Sequence, residues 1–386
     1  MVASRLLYQN LLDYARFRCV CAQWRSATDS PRGRGVVDRR FHPRLWMMFP
    51  EGRGLYPGHP DLGDHIRFFN LDSGAFVRVR LPVFEDHSVL DSINGLLLLQ
   101  RDGDTAIRLL NPFTDDIVEF PPLKTALANN ALLELPSLRS VSTSATFLPQ
   151  GRITLMLAFN RTLVYAAFAT PQDERWTMVS WMAPIPQLHG PVQIQGRLYV
   201  ANNVALHGSD TNIYEMGAHL LDGPKLITVC PRKILCSSLY LVEYDSEIIV
   251  VGHTDAQLSG LKAYKLADIV MGVFNPVTSI GDNTIFLGGR TNLCVSSKVL
   301  PTVVGDTIVY YRLGPRCFGQ YHLGSATWSQ PFDECSLNGI EHGPCSLIRH
   351  VLTSCHSKTW NKGTMYSWGD LPSYKWKVKV EFRDGS

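Results

Sequence analysis

The sequence predicts a mainly β protein, an irregular β-propeller preceded by a short helical segment. Three observations carry that expectation. Short apolar runs follow turn residues from about Leu45 to the end of the chain. The 30 glycines and 23 prolines are spread along the chain rather than pooled in a linker, as many short strands with frequent turns require. Only the first stretch departs from this texture, and its apolar residues recur with a helical period.

That first stretch predicts a helix, because Leu7, Leu11, Leu12, Ala15, Cys19 and Ala22 follow one another at three- and four-residue spacing. Ser30-Pro31-Arg32-Gly33-Arg34-Gly35 ends it. A basic connector with Arg39, Arg40 and Arg44 follows. With Arg32 and Arg34 it reads as a solvated connector, and more sharply as a nuclear address or an acid-binding patch. The expected division is a helical segment and connector over 1–40 and a propeller-like domain over 41–386.

Two units then repeat. In the first, a strand leaves a turn: Asn94-Gly95 before Leu96–Leu99, Gly151-Arg152 before Ile153–Leu155, Gly196-Arg197 before Leu198–Val200, Ser246-Glu247 before Ile248–Val250, Asp282-Asn283 before Thr284–Leu287, and Gly305-Asp306 before Thr307–Tyr310. In the second, a strand, turn and strand run toward a Trp or Pro, as from Leu109-Leu110-Asn111-Pro112-Phe113-Thr114 to Phe120-Pro121-Pro122. One hairpin cannot bury its apolar face alone, and repeating such pairs every ~40–50 residues is the habit of propeller blades. A pair of β-sandwiches is the alternative. Lys124 to Leu135 is the one later stretch that reads as helix or loop.

Composition limits function. Hydrophobic residues at 45% and charged residues at 18% suit a globular chain. A net charge of +3 gives no reason to expect nucleic acid as a partner. No apolar run is long enough to suggest a membrane span, and the N-terminus has no secretory pattern, so a cytoplasmic or nuclear location is expected. Nine cysteines without a tight framework argue for buried thiols.

Catalytic and metal templates are missing. Cys335, His342, Cys345, His350, Cys355 and His356 are the right types for zinc, but no Cys-x-x-Cys pair occurs. Asp115 and Asp116 are adjacent and would point to opposite faces of a strand. Gly288-Gly289-Arg290 lacks dinucleotide-loop spacing, and His207, Ser209 and Asp210 sit in a turn-like stretch. No enzyme, cofactor or metal is expected. Among the tryptophans, Trp176, Trp181, Trp328, Trp360, Trp368 and Trp376 read mainly as blade-packing residues.

Two places carry more than pattern. The run Leu12-Asp13-Tyr14-Ala15-Arg16-Phe17-Arg18-Cys19-Val20-Cys21-Ala22-Gln23-Trp24-Arg25 resembles the second half of an F-box, which there reads Leu-x-x-x-Arg-x-Arg-x-Val-Cys-x-x-Trp-Arg. The body resembles the F-box-associated, Kib-type propeller of a large family of plant F-box proteins. Gly95–Leu99, Leu110-Asn111-Pro112-Phe113-Thr114 with Phe120–Leu123, and Ser279–Gly289 with Cys294-Val295-Ser296 carry that likeness.

The resemblance implies a substrate-recruiting subunit of an SCF-type cullin–RING ubiquitin ligase. Its partners would be a Skp-type adaptor, the cullin and an unidentified target protein held by the propeller. Leu12, Arg16, Phe17, Val20, Cys21 and Trp24 are the adaptor-binding candidates, since aromatic and aliphatic anchors suit an interface centre. An F-box opens with Leu-Pro-x-x-Leu, and Met1 to Asn10 offer only Leu6 and Leu7, so a truncated F-box is expected. The alternative is a stand-alone interaction propeller, a decoy or scaffold, whose helix merely seats on the domain.

Overall fold

The computed structural model describes residues 2–49, 65–127, 141–148, 151–159, 164–181, 188–202, 210–217, 223–236, 239–288, 291–300, 303–312, 317–329, 351, 359–361 and 364–366. Three short helices open the chain: α1 (Val2–Gln9), α2 (Leu11–Val20) and α3 (Ala22–Ser26). The helical period predicts one helix here, and the chain breaks it twice. Asn10 leaves helical geometry and its side chain accepts from the Leu12 N–H at 2.9 Å, while the Cys21 Sγ accepts from the Trp24 N–H. Each is a cap that starts a new helix.

Six sheets follow in chain order. Blade 1 holds β1 (Trp46–Met48), β2 (His65–Asn70) and β3 (Phe76–Arg80). Blade 2 holds β4 (His87–Ile93), β5 (Leu96–Arg101), β6 (Ala106–Asn111) and β7 (Asp116–Pro122), followed by the helical turn α4 (Lys124–Leu127). Blade 3 holds β8 (Val141–Phe147), β9 (Ile153–Phe159), β10 (Val164–Ala169) and β11 (Thr177–Trp181). Blade 4 holds β12 (Leu188–Ile194), β13 (Arg197–Asn202), β14 (Thr211–Met216) and β15 (Lys225–Cys230). Blade 5 holds β16 (Tyr240–Tyr244), β17 (Glu247–His253) and β18 (Leu261–Lys265), with α5 (Leu266–Val270) after it.

Blades 1 to 5 are antiparallel meanders. Blade 6 is irregular. Its β19 (Asn283–Phe286) pairs antiparallel with β20 (Leu293–Ser296) and parallel with β21 (Thr307–Arg312), which continues to β22 (Cys317–His322) and β23 (Thr327–Trp328). A hairpin of β24 (Thr359–Asn361) and β25 (Thr364–Tyr366) brings the C-terminal part of the chain beside β4.

The apolar runs are explained by the ring. Successive residues of a strand face opposite sides of its sheet, and each blade is covered on both sides by neighbours. In β5, Leu96 and Leu98 pack toward blade 3, while Leu97 and Leu99 pack toward blade 1. In β17, Ile248 and Val250 face blade 4, and Ile249 and Val251 face blade 6. A strand buried on both sides reads as an unbroken apolar run. One cluster fills each seam, including that between blades 6 and 1, where Phe49 and Phe69 meet Phe286, Val295 and Val309. That last cluster joins the two ends of the ring. The structure is thus a mainly β, six-bladed propeller behind a short helical segment.

One edge strand of each blade meets its neighbours around the axis, the first strand in blades 2 to 5 and β20 in blade 6. Here β12 and β16, β16 and β20, and β4 and β8 lie side by side. The turns that leave them use left-handed residues, as at Asn94-Gly95 (φ 52° and 82°), matching the twist of a two-residue hairpin.

Candidate interaction surfaces

The helical segment sorts its residues by face. Leu11 and Tyr14 are buried with Phe41, against Leu7 and Phe113. Leu12 packs into the seam between blades 1 and 2. Of the six adaptor candidates, Leu12 therefore faces the propeller. The opposite side looks outward. Val20 is 64% exposed and Trp24 42% exposed, with the Phe17 ring stacked on Trp24 at 4.3 Å between centroids. Arg16 is exposed and pairs with Asp13 at 2.9 Å. Cys21 is exposed and free, like Cys19.

The far end of this segment is tied down. The Tyr14 hydroxyl donates to the Asp29 carbonyl at 2.9 Å. Arg18 donates to Thr28 Oγ1 and to the Asp29 carbonyl, each at 2.7 Å. Asp29 pairs with Arg34 at 3.3 Å and Arg40 at 3.0 Å, and Asp38 takes the same two arginines at 2.9 and 2.7 Å. Both guanidiniums also lie over the Phe41 ring. Two of the connector's arginines, Arg34 and Arg40, are thus neutralised within it.

Blade 2 holds the connector from beneath. Asn111 Nδ2 donates to the Gly35 carbonyl at 2.8 Å and the Phe41 carbonyl at 3.0 Å, and its Oδ1 accepts from the Phe113 N–H at 3.0 Å. Asp116 accepts from the Gly33 and Gly35 N–H groups, both at 2.7 Å. Gly35 lies so close that a Cβ there would stand 2.1 Å from Thr114 Oγ1. The Asn111-Pro112-Phe113-Thr114 stretch is a turn, as its residues suggest, and also the clamp that fixes the N-terminal segment. Its partners lie too far away in sequence for the motif to disclose that role.

From this clamp the chain crosses one end of the propeller. Val36 enters the core between blades 2 and 3. His42 is 6% exposed; its Nε2–H donates to the Val36 carbonyl at 2.8 Å and its ring meets Phe147 edge-on at 4.6 Å. Pro43 sits on Gly95, whose Cβ, if present, would fall 2.0 Å from the Pro43 carbonyl oxygen. Arg44 then comes within electrostatic reach of Glu243 on the axial strand of blade 5.

The groups here are shifted in the directions their surroundings demand. Burial first, then Arg44 and Arg39, push the His42 pKa down to about 4. Burial and then Arg44 pull Arg39 below the usual arginine range. Glu243 is open to water yet hemmed in by protein; burial raises its pKa and Arg44 pulls it back.

Among the described residues, no three His, Cys, Asp or Glu side chains gather as around a metal. The zinc-type residues Cys335, His342, Cys345, His350, Cys355 and His356 lie outside the described residues, as do His207, Ser209, Trp368 and Trp376. Asp210 accepts from the Arg232 N–H at 2.9 Å. Trp176 packs between blades 2 and 3 and donates its Nε1–H to the Pro121 carbonyl at 2.8 Å, whereas Trp328 donates to the Ser259 carbonyl at 2.7 Å. No helix among the described residues is long and apolar enough to cross a membrane.

Residues 68–323 match the model of the KIB1-4 beta-propeller family, well over half of the chain. The chain belongs to the KIB1-4 beta-propeller family. The matched region runs from within β2 into the turn after β22, so it takes in blades 2 to 5 whole with parts of blades 1 and 6, and leaves the helical segment outside. No curated protein matches the sequence. Among solved structures, the KIB1-4 chain is similar to one in a nidogen/laminin complex, at 10% identity and a TM-score of 0.37, covering 74% of this chain and 92% of that one. It is also similar to the WD40 domain of SCAP from fission yeast, at 10% identity and a TM-score of 0.29, covering 72% and 62%. A puromycin-hydrolyzing peptidase of Mycobacterium tuberculosis matches at 12% identity and a TM-score of 0.30, covering 78% and 55%.

Proposed function

We propose that this chain is a non-catalytic, target-recruiting subunit of an SCF-type cullin–RING ubiquitin ligase, acting in the cytoplasm or nucleus. A protein-interaction role suits a propeller of this family. The ligase role rests on one observation: the F-box-like helices turn Phe17, Val20 and Trp24 away from the propeller while Leu11, Leu12 and Tyr14 anchor them to it. An apolar and aromatic face held outward on a fixed support is what an adaptor-binding surface requires. The propeller would hold the target.

A second reading has its own support. Leu12 faces inward, and the outward apolar face spans only α2 and α3. A standard interface needs about 800 Å² per side. A chain with too little area would be a stand-alone interaction propeller, a decoy or scaffold.

An affinity pull-down with purified Skp-type adaptor separates the two. The ligase reading expects binding that Val20→Asp with Trp24→Ala abolishes, while the melting temperature stays unchanged because both residues are exposed. Absence of binding by the unaltered chain leaves the stand-alone propeller.

A further inference from the structure

We propose that Ser30 is a phosphorylation site for a proline-directed serine/threonine kinase, and that the arginines around it, Arg18 and Arg32 with Arg34 and Arg40, hold the phosphate. This goes beyond the reading above and does not depend on it.

The sequence has two places where a Ser or Thr precedes a Pro: Ser30-Pro31 and Thr170-Pro171. A proline-directed kinase reads the hydroxyl and the proline together, on a segment laid extended in its cleft. The structure separates the two places. Thr170 opens the tight turn between β10 and β11. Its carbonyl accepts from the Asp173 N–H at 3.2 Å, and its own N–H donates to Asp173 Oδ2 at 2.6 Å. A segment closed on itself in this way is not extended. Ser30 is exposed, and the backbone from Asp29 to Pro31 belongs to no helix, strand or turn. Pro31 itself biases Ser30 toward extended geometry. The hydroxyls just before it are engaged: Ser26 donates to the Gln23 carbonyl at 3.0 Å and Thr28 to the Trp24 carbonyl at 2.7 Å. The Ser30 hydroxyl has no partner among the described residues.

The surroundings suit a dianion. Three arginines converge on Asp29, one peptide unit away. Arg18 donates to the Asp29 carbonyl at 2.7 Å, while Arg34 and Arg40 meet its carboxylate at 3.3 and 3.0 Å. Asp29 and Asp38 balance Arg34 and Arg40. Arg18 and the exposed Arg32 meet no carboxylate within salt-bridge distance among the described residues. A phosphoserine brings about −1.5 to −2 charges and three acceptor oxygens, which these two remaining cations match. In the transfer, the Ser30 Oγ attacks the γ-phosphorus of ATP. The Oγ–P bond forms as the bond to the bridging β,γ-oxygen breaks, ADP leaves, and the hydroxyl proton passes to the kinase's base. Arg18 belongs to α2, whereas Arg32, Arg34 and Arg40 belong to the connector. The phosphate therefore ties the helices to the connector at the point where they join.

The test incubates the full chain, without adaptor, with a purified proline-directed kinase and radiolabelled ATP. The folded chain takes up label. Ser30→Ala and Pro31→Ala each lose nearly all of it, whereas Thr170→Val keeps it. Ser30 is exposed and unpartnered, so Ser30→Ala melts where the unaltered chain does. Hydrogen exchange then compares the modified and unmodified chains. The Arg34 and Asp38 amides donate within the connector at 3.1 and 2.9 Å. With the phosphate they exchange about three- to fivefold more slowly, the worth of an exposed ion pair. Arg18→Gln and raised salt both shrink that slowing. The proposal is overturned if the folded chain takes up no label, if Ser30→Ala keeps the label, or if the phosphate leaves these amides exchanging as fast as before.

Discussion

At the scale of single residues, His42 shows how an unremarkable histidine becomes structural. It lies in a basic connector with Arg39, Arg44 and Asp38 around it, where sequence suggests a solvated side chain. Instead it is buried against Phe147, with its pKa pushed down to about 4 by burial first and the two arginines after. The folded state holds it neutral, whereas the unfolded chain protonates it near the ordinary value of about 6.5. Above that value its contribution is fully present. As pH falls through the window from about 6.5 to about 4, the unfolded state gains a proton that the folded state refuses, and stability is lost. The loss amounts to about 3 kcal/mol. Urea unfolding across this range would show the slope, and His42→Phe would flatten it. An equal slope in the variant would remove His42 as its source.

At the scale of elements, the clearest lesson is in the turn between β6 and β7. Its residues announce a turn, and a turn forms, with Asp115 in the left-handed region at φ 60°. What it holds is not visible in the motif. Asn111 is fully buried and makes three hydrogen bonds, two of them to carbonyls of the connector. Asn111→Ala strands those carbonyls without a donor and should cost about 2–3 kcal/mol. It should also raise proteolytic cleavage within residues 28–44, since the connector loses its clamp. Stability lost without new cleavage there would mean that Asp116 alone fixes the connector. The same contrast runs through the chain. β5, β13 and β17 were legible because two-sided burial writes continuous apolar runs after a turn. The parallel pairing of β19 with β21 was not, because a crossover within one blade leaves no local signal. The single helical period hid two caps, at Asn10 and Cys21, since a cap interrupts the backbone without disturbing the apolar stripe. Among the site residues, the outward set of Val20 and Trp24 followed from the F-box-like run. The inward turn of Leu12 depends on where the propeller stands, which the helical period does not record.

At the scale of the whole molecule, the ring decides both stability and function. Five seams join blades that follow one another in sequence, but the sixth joins the beginning to the end. There Phe49 stacks on Phe69 at 5.4 Å, and both pack with Phe286, Val295 and Val309. Contacts so distant in sequence must form after the entropy of closing a long loop has been met, so this seam is the natural last step of folding. It is also the seam at which the ring opens at least topological cost. Phe69→Ala should remove about 3–5 kcal/mol through lost burial and a residual cavity. Hydrogen exchange should then show protection falling first in β2, β3, β19 and β21 while β9 and β13 stay protected. Met156→Ala, in the seam between blades 3 and 4, serves as the comparison, since that seam is held by chain connectivity as well as packing. If protection falls evenly around the ring in both variants, the propeller opens as one cooperative unit, and the closing seam has no special place in it.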